Sequence, residues 1–158
     1  MLRRMASTFT LWQRLAARPG GKRLFSLALS VRVPYFRTIV PTVHEMRPGF
    51  AEVHAPKWWG VHNHIGTFHA IAACNLAELA MGMLAEATVP PTHRWIPRAM
   101  TVDYLAKATT GLHAIAQVSP APDFTDTPTD LPVPVLIYDK SGTVVVQATI
   151  TIKVSRKQ

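Results

Sequence analysis

A chain of 158 residues with 48% hydrophobic content is sized for one domain with a real core, which excludes a wholly disordered protein. Its net charge of +8 comes from one end: no Asp or Glu lies between Met1 and His44, where Arg3, Arg4, Arg14, Arg18, Lys22, Arg23, Arg32 and Arg37 all fall, and from Glu45 onward the charges balance. Charge confined to one terminal segment, with no base-reading motif, argues against nucleic acid and for a local task such as contact with an anionic membrane, an acidic partner or a polyanionic substrate.

Taken in order, residues 8–17 form a short amphipathic helix, apolar at Phe9, Leu11, Trp12 and Leu15 and stopped by Pro19-Gly20-Gly21. A second apolar segment, 24–31, follows. An Arg-rich, acid-free, Ser-containing start is also the composition of a mitochondrial presequence, so the expected location is cytoplasmic, or mitochondrial in a eukaryote. We divide the chain into a basic helical extension, 1–33, and a main domain, 34–158. In that domain residues 37–46 and 50–58, around Arg47-Pro48-Gly49, pair as a hairpin with Ala51, Val53 and Ala55 alternating against Glu52 and His54.

Next comes a polar, histidine-bearing loop that feeds one long helix over 67–85, a stretch without Pro that is rich in Ala, Leu, Met and Glu. Its apolar residues occupy every side, so it belongs inside a domain, and His69, Asn75 and Glu78 interrupt it too often for a membrane span. Glu78 is the anomaly: a carboxylate buried without a partner has its pKa raised or must be paired. It is either functional or a structural carboxylate satisfied by Asn75 or a loop donor. His62, Asn63, His64, Gly66 and His69 crowd the helix start, where unpaired N–H groups and the helix dipole favour a developing negative charge.

Beyond Val89-Pro90-Pro91, residues 95–106 and 112–118 read as a second hairpin turning at Thr109-Thr110-Gly111. The Pro- and Asp-rich stretch 119–132 reads as an exposed loop, and 133–138 with 143–154 as a last hairpin turning at Asp139–Gly142. Two strands, a long helix and four strands give an α+β domain in which an antiparallel sheet of about five to six strands curls around one central helix. Cys74, the only cysteine, can form no intrachain disulfide and reads as a small core hydrophobe. His62, His64 and His69 lack an i, i+4 pair and a following acidic ligand, so no metal site is expected. Trp58 and Trp59 either line a ligand tunnel or close a strand against the core, and Lys57, Arg94 and Arg98 either meet phosphate or are ordinary surface charges at strand ends.

The pattern Asn63, His69-Ala70 and, nine residues beyond the His, Glu78 resembles the hotdog-fold thioesterases of the phenylacetyl-CoA type, as do the segments 100–111 and 133–154. The nearest branch is a hotdog group with Asn-His-x-Gly-Thr-x-His-Ala and Leu-Ala-Glu and no assigned activity. This chain has Ala70 and Ile71 where the thioesterases carry Gly-Gly, which crowds the approach of a thioester carbonyl. The resemblance implies a homodimer, or a tetramer of two such dimers, with acyl-CoA or acyl-ACP as substrate and no cofactor. It makes Glu78 general base or nucleophile, has the Ala70 N–H polarise the carbonyl, and gives Asn63 and His69 catalytic positions and Gly66, Thr67, Trp58 and Arg98 substrate contacts. The second reading is a non-catalytic acyl-CoA-binding hotdog protein held at a membrane by its basic N-terminal helix. A hydratase-type hotdog enzyme needs an Asp beside its His near the helix start, and the sequence supplies only the His.

Overall fold

In the computed structural model, which describes residues 7–120 and 122–158, the long central helix α3 (Ala70–Thr88) lies in the hollow of one six-stranded antiparallel sheet. The strands are β1 (Thr42–Arg47), β2 (Phe50–Ala55), β3 (His93–Tyr104), β4 (Leu112–Gln117), β5 (Thr129–Tyr138) and β6 (Val144–Arg156), in spatial order β1-β2-β4-β5-β6-β3. This is the hotdog arrangement. Arg3 and Arg4 of the basic segment lie outside the described residues.

Alternation along the strands creates the hollow. Ala51, Val53 and Ala55 on β2 face inward beside Ala116, Ala114 and Leu112 on β4, which in turn neighbour Val135 and Ile137 on β5. Onto this floor α3 presses Leu76, Leu79, Met81 and Leu84, all fully buried. Truncating any of these leucines to Ala is the kind of core deletion that costs about 2–5 kcal/mol. By length and composition α3 could cross a membrane, but 61% of its most apolar 18 residues are buried within the fold, as in the core helix the sequence suggests.

Two turns follow directly from their residues. At the β1–β2 turn Gly49 takes φ +76°, and a Cβ there would sit 2.8 Å from the Val118 carbonyl oxygen. At the β5–β6 turn Asp139 Oδ1 accepts from the backbone N–H groups of Ser141 and Thr143.

Helices α1 (Thr8–Ala16) and α2 (Gly21–Arg32) share the domain's core. Ser7 caps α1 by accepting from Thr10 N–H, and Trp12 packs edge-on against Phe25 of α2. The turn between the helices is tight enough that a Cβ at Gly21 would strike the Leu15 carbonyl. Ser26 Oγ accepts from Val43 N–H at 2.9 Å, which ties α2 to β1.

Two expectations are corrected. Residues 37–46 are not one strand: Pro34–Ile39 forms a 3₁₀ turn that buries Ile39, Val40 takes a left-handed conformation, and β1 starts only after Pro41. Nor do β3 and β4 make a hairpin. The chain crosses over between them, so that β3 pairs with β6 at one edge and β4 lies between β2 and β5.

Candidate active site

The site is built from the loop that leads into α3. Trp59–Val61 makes one 3₁₀ turn, after which His62 and Phe68 bridge across a tight loop. Asn63 holds this loop closed. Its side-chain Oδ1 accepts from the N–H groups of Ile65 (3.1 Å) and Thr67 (3.0 Å), and its Nδ2 donates to Thr67 Oγ1 (2.7 Å). Its backbone N–H also donates to the Thr67 carbonyl, and its carbonyl accepts from Gly66 N–H. Gly66 sits at φ +75°, a conformation that glycine adopts without the Cβ penalty. Asn63, Gly66 and Thr67 are therefore one structural unit. It is fixed in place by Phe68 N–H donating to the Ala108 carbonyl and His69 N–H to the Val61 carbonyl.

His69 caps α3. Its Nδ1 accepts from Ile71 N–H at 3.0 Å, which keeps the lone pair on Nδ1 and leaves Nε2 to carry the proton of the neutral ring. The N–H groups of Ala70 and Ala72 have no partner among the described residues. These orphan donors at the positive end of a 19-residue helix can stabilise an oxygen that gains negative charge.

Glu78 departs from expectation: it is exposed. Ile71, Cys74 and Glu78, at i, i+3 and i+7, mark the face of α3 that the sheet leaves uncovered, and Ile71 is 56% exposed there. Cys74 is accordingly half-buried rather than a core hydrophobe. Composition hid this because the residues around Glu78 are apolar on every side of the helix, so nothing in the sequence marks which face the sheet leaves open. Along the axis Ala70 and Glu78 are about 12 Å apart at about 1.5 Å per residue, too far for both to meet one carbonyl group.

Tyr104, at the end of β3, was not singled out by any sequence signal. Its hydroxyl lies 3.2 Å from Cys74 Sγ, and this hydrogen bond, with some burial, pushes its pKa up to about 12. At neutral pH it is a phenol beside the uncovered face, able to donate or accept a hydrogen bond.

Arg98 is not brought to the helix start. It forks onto Asp130, with Nη1 at 3.2 and 2.8 Å from the two carboxylate oxygens, about 20 Å along β3 from Tyr104. The Trp58 ring lies so close over Gly60 that a Cβ there would stand 2.2 Å from it, and it is 40% exposed, so it does not close a strand onto the core.

The outer side of the sheet carries a row of rings that pattern reading also missed. His44, His54, His113 and Tyr138 run across β1, β2, β4 and β5 beside a cavity of about 970 Å³. A β-bulge puts His44 there: Val43 opposes Val53 and Glu45 opposes Glu52, which leaves His44 as the extra residue. Donor atoms of His44, Glu52 and His54 lie within 4.8 Å of one another. The two imidazoles, however, stack at 3.6 Å with planes 14° apart, so their in-plane lone pairs run side by side instead of converging on an ion. Burial, with repulsion from His54, lowers the pKa values of His44 and His113.

Comparison with known proteins gives the same fold. A structural-genomics protein of known structure is 43% identical, with a TM-score of 0.82 over 95% of this chain and 98% of its own. A Pseudomonas aeruginosa protein of unknown function, styled a "probable thioesterase", is 18% identical, with a TM-score of 0.76 over 85% of this chain and 95% of its own. A mutant of a thioesterase enzyme from Staphylococcus aureus is 14% identical, with a TM-score of 0.67 over 77% and 98%. No curated protein matches the sequence significantly. The family model described as "Domain of unknown function (DUF4442)" matches residues 21–154, from the start of α2 almost to the end of β6. The chain has the hotdog fold, and it belongs to the DUF4442 family.

Proposed function

We propose that this protein hydrolyses an acyl thioester, carried by CoA or ACP, at a site shared between two protomers. The observation that carries the reading is the pairing of unpartnered N–H groups at the start of α3 with an exposed carboxylate on that helix's only uncovered face. In this reading the Ala70 N–H and the helix dipole polarise the thioester carbonyl. Glu78 removes a proton from water, the resulting hydroxide adds to the carbonyl carbon, and the tetrahedral intermediate expels the thiolate to leave a free acid. Direct attack by Glu78, which breaks the C–S bond, releases the thiolate and gives an anhydride that water then opens to the free acid and the carboxylate, is the alternative route. Because Ala70 and Glu78 are too far apart along one helix, the carboxylate facing a given Ala70 comes from the second protomer. The second protomer also has a place to pair: among the described residues β3 has no partner on its outer edge, and Ile71 of α3 is exposed.

A non-catalytic acyl-CoA-binding role is the second reading. It is favoured by one observation, that the Asn63 amide is spent inside its own loop, and by Ala70 and Ile71 standing where the thioesterases that the sequence resembles carry Gly-Gly. Incubating purified protein with short, long and aromatic acyl-CoAs separates the readings. Release of free CoA thiol from at least one of them is expected. Saturable binding of an acyl-CoA thioether with no turnover of any thioester would establish the second reading instead.

A further inference from the structure

We propose that the outer face of α2 is a docking surface for the anionic headgroup region of a lipid bilayer. On α2, Phe25, Ser26, Leu29 and Ser30 face the protein, and the opposite face should be polar in a helix that ends at water. It is aliphatic: Leu24, Leu27 and Val31, at i, i+3 and i+7, are 55%, 61% and 70% exposed. Arg23 and Arg32 flank this stripe on the two sides of the helix. Beyond α2 the surface continues through a small cavity shared by Leu27, Arg37 and Val40, and Val40 is itself 48% exposed. A second, basic cavity of about 480 Å³ opens beside it, lined by Arg18, Lys22 and Arg23. Asn75 of α3 donates to Thr38 Oγ1, so this surface is tied to the central helix.

Charge decides between the possible occupants. Among the described residues no carboxylate lies within 4.0 Å of any basic side chain from Arg14 to Arg37, and the segment contains none of its own. A second copy docking face to face would bring arginine rims together with nothing to neutralise them. Nucleic acid would meet aliphatic side chains where it needs polar or stacking groups. A bilayer satisfies both parts: aliphatic residues enter the boundary between headgroups and acyl chains while arginines meet lipid phosphates. An enzyme or binding protein for acyl carriers would gain by sitting where acyl chains are made or used, but the surface itself does not depend on that role.

The test is partitioning of the full-length protein onto phosphatidylcholine vesicles with and without phosphatidylglycerol, at low and high salt. Binding is expected only with the anionic lipid, and salt should weaken it. Arg23→Ala and Arg37→Ala should each weaken it about fivefold, from about 1 kcal/mol per basic residue at such a surface. Leu27→Asp with Val31→Asp should abolish it while leaving the thermal midpoint in place, since both side chains are exposed. Absence of binding to anionic vesicles, or equal partitioning of the Leu27/Val31 variant, would overturn the proposal. So would dissociation of an oligomer by that variant, which would show that a second copy covers the face.

Discussion

Replacing Asn63 discriminates between a residue that touches substrate and one that shapes the loop in front of α3. Asn63→Ala removes three side-chain hydrogen bonds, two of them to backbone N–H groups. At about 0.5–1.5 kcal/mol each, and with the Ile65 N–H able to turn to water, the loss should be about 2 kcal/mol. For a domain of this size that lowers the thermal midpoint by about 4–8 °C. Asn63→Asp keeps an acceptor for both N–H groups, and the Thr67 hydroxyl can rotate to donate to the carboxylate, so it should lose well under 1 kcal/mol. Acyl-CoA turnover should follow the same order, near wild type for Asp and strongly reduced for Ala, because the Ala70 N–H is positioned through this loop. Scanning fluorimetry and a thiol-release assay on the same preparations read both quantities. An Asp variant that is fully stable yet as inactive as the Ala variant would refute the argument and put the Asn63 amide on the substrate.

Two further predictions concern titratable groups. The imidazoles of His44 and His113 are held below the ordinary value of 6.5 by burial and by His54, so the unfolded chain binds more protons than the native one as the solution is acidified. Stability from this source is complete above about pH 6.5 and is lost as pH falls through the lowered native values. The thermal midpoint of His44→Gln/His113→Gln should therefore fall less steeply below pH 6.5 than that of wild type, and identical slopes would contradict this. The Tyr104 phenol, at about 12, owes its shift first to the Cys74 hydrogen bond. In Cys74→Ala the highest phenolate absorbance midpoint should move toward the ordinary value of 10.0, and an unmoved midpoint would place the cause elsewhere.

What could be read from the sequence was whatever local pattern dictates. The central helix, the last hairpin and the alternation on β2 rest on periodicity, and they appear in the structure within a few residues of their expected ends. Strand pairing failed where adjacency in sequence was taken for adjacency in space. Thr109-Thr110-Gly111 looks like a hairpin turn, yet Gly111 is the residue that lets the chain pass close to the Ala55 carbonyl, where a Cβ would stand at 3.1 Å. Glu78 departs from expectation for a related reason: the residues around it are apolar on every side of the helix, so composition does not tell a face under the sheet from one left open. His44 needed a bulge to join its neighbours, and a one-residue insertion leaves no trace in hydrophobic pattern. The Asn63 loop was found as a set of residues, but the hydrogen bonds that make it a scaffold emerged only from geometry.

The most direct test of the proposed chemistry is turnover by Glu78→Gln. The carboxylate is exposed and no salt bridge holds it among the described residues, so its stability should stay within about 0.5 kcal/mol of wild type. Loss of a general base at an otherwise intact site should lower kcat about 10²–10⁴-fold on whichever acyl-CoA the wild type hydrolyses best, with binding of the thioether analogue retained. A stable Glu78→Gln protein that turns over acyl-CoA at the wild-type rate would contradict the account.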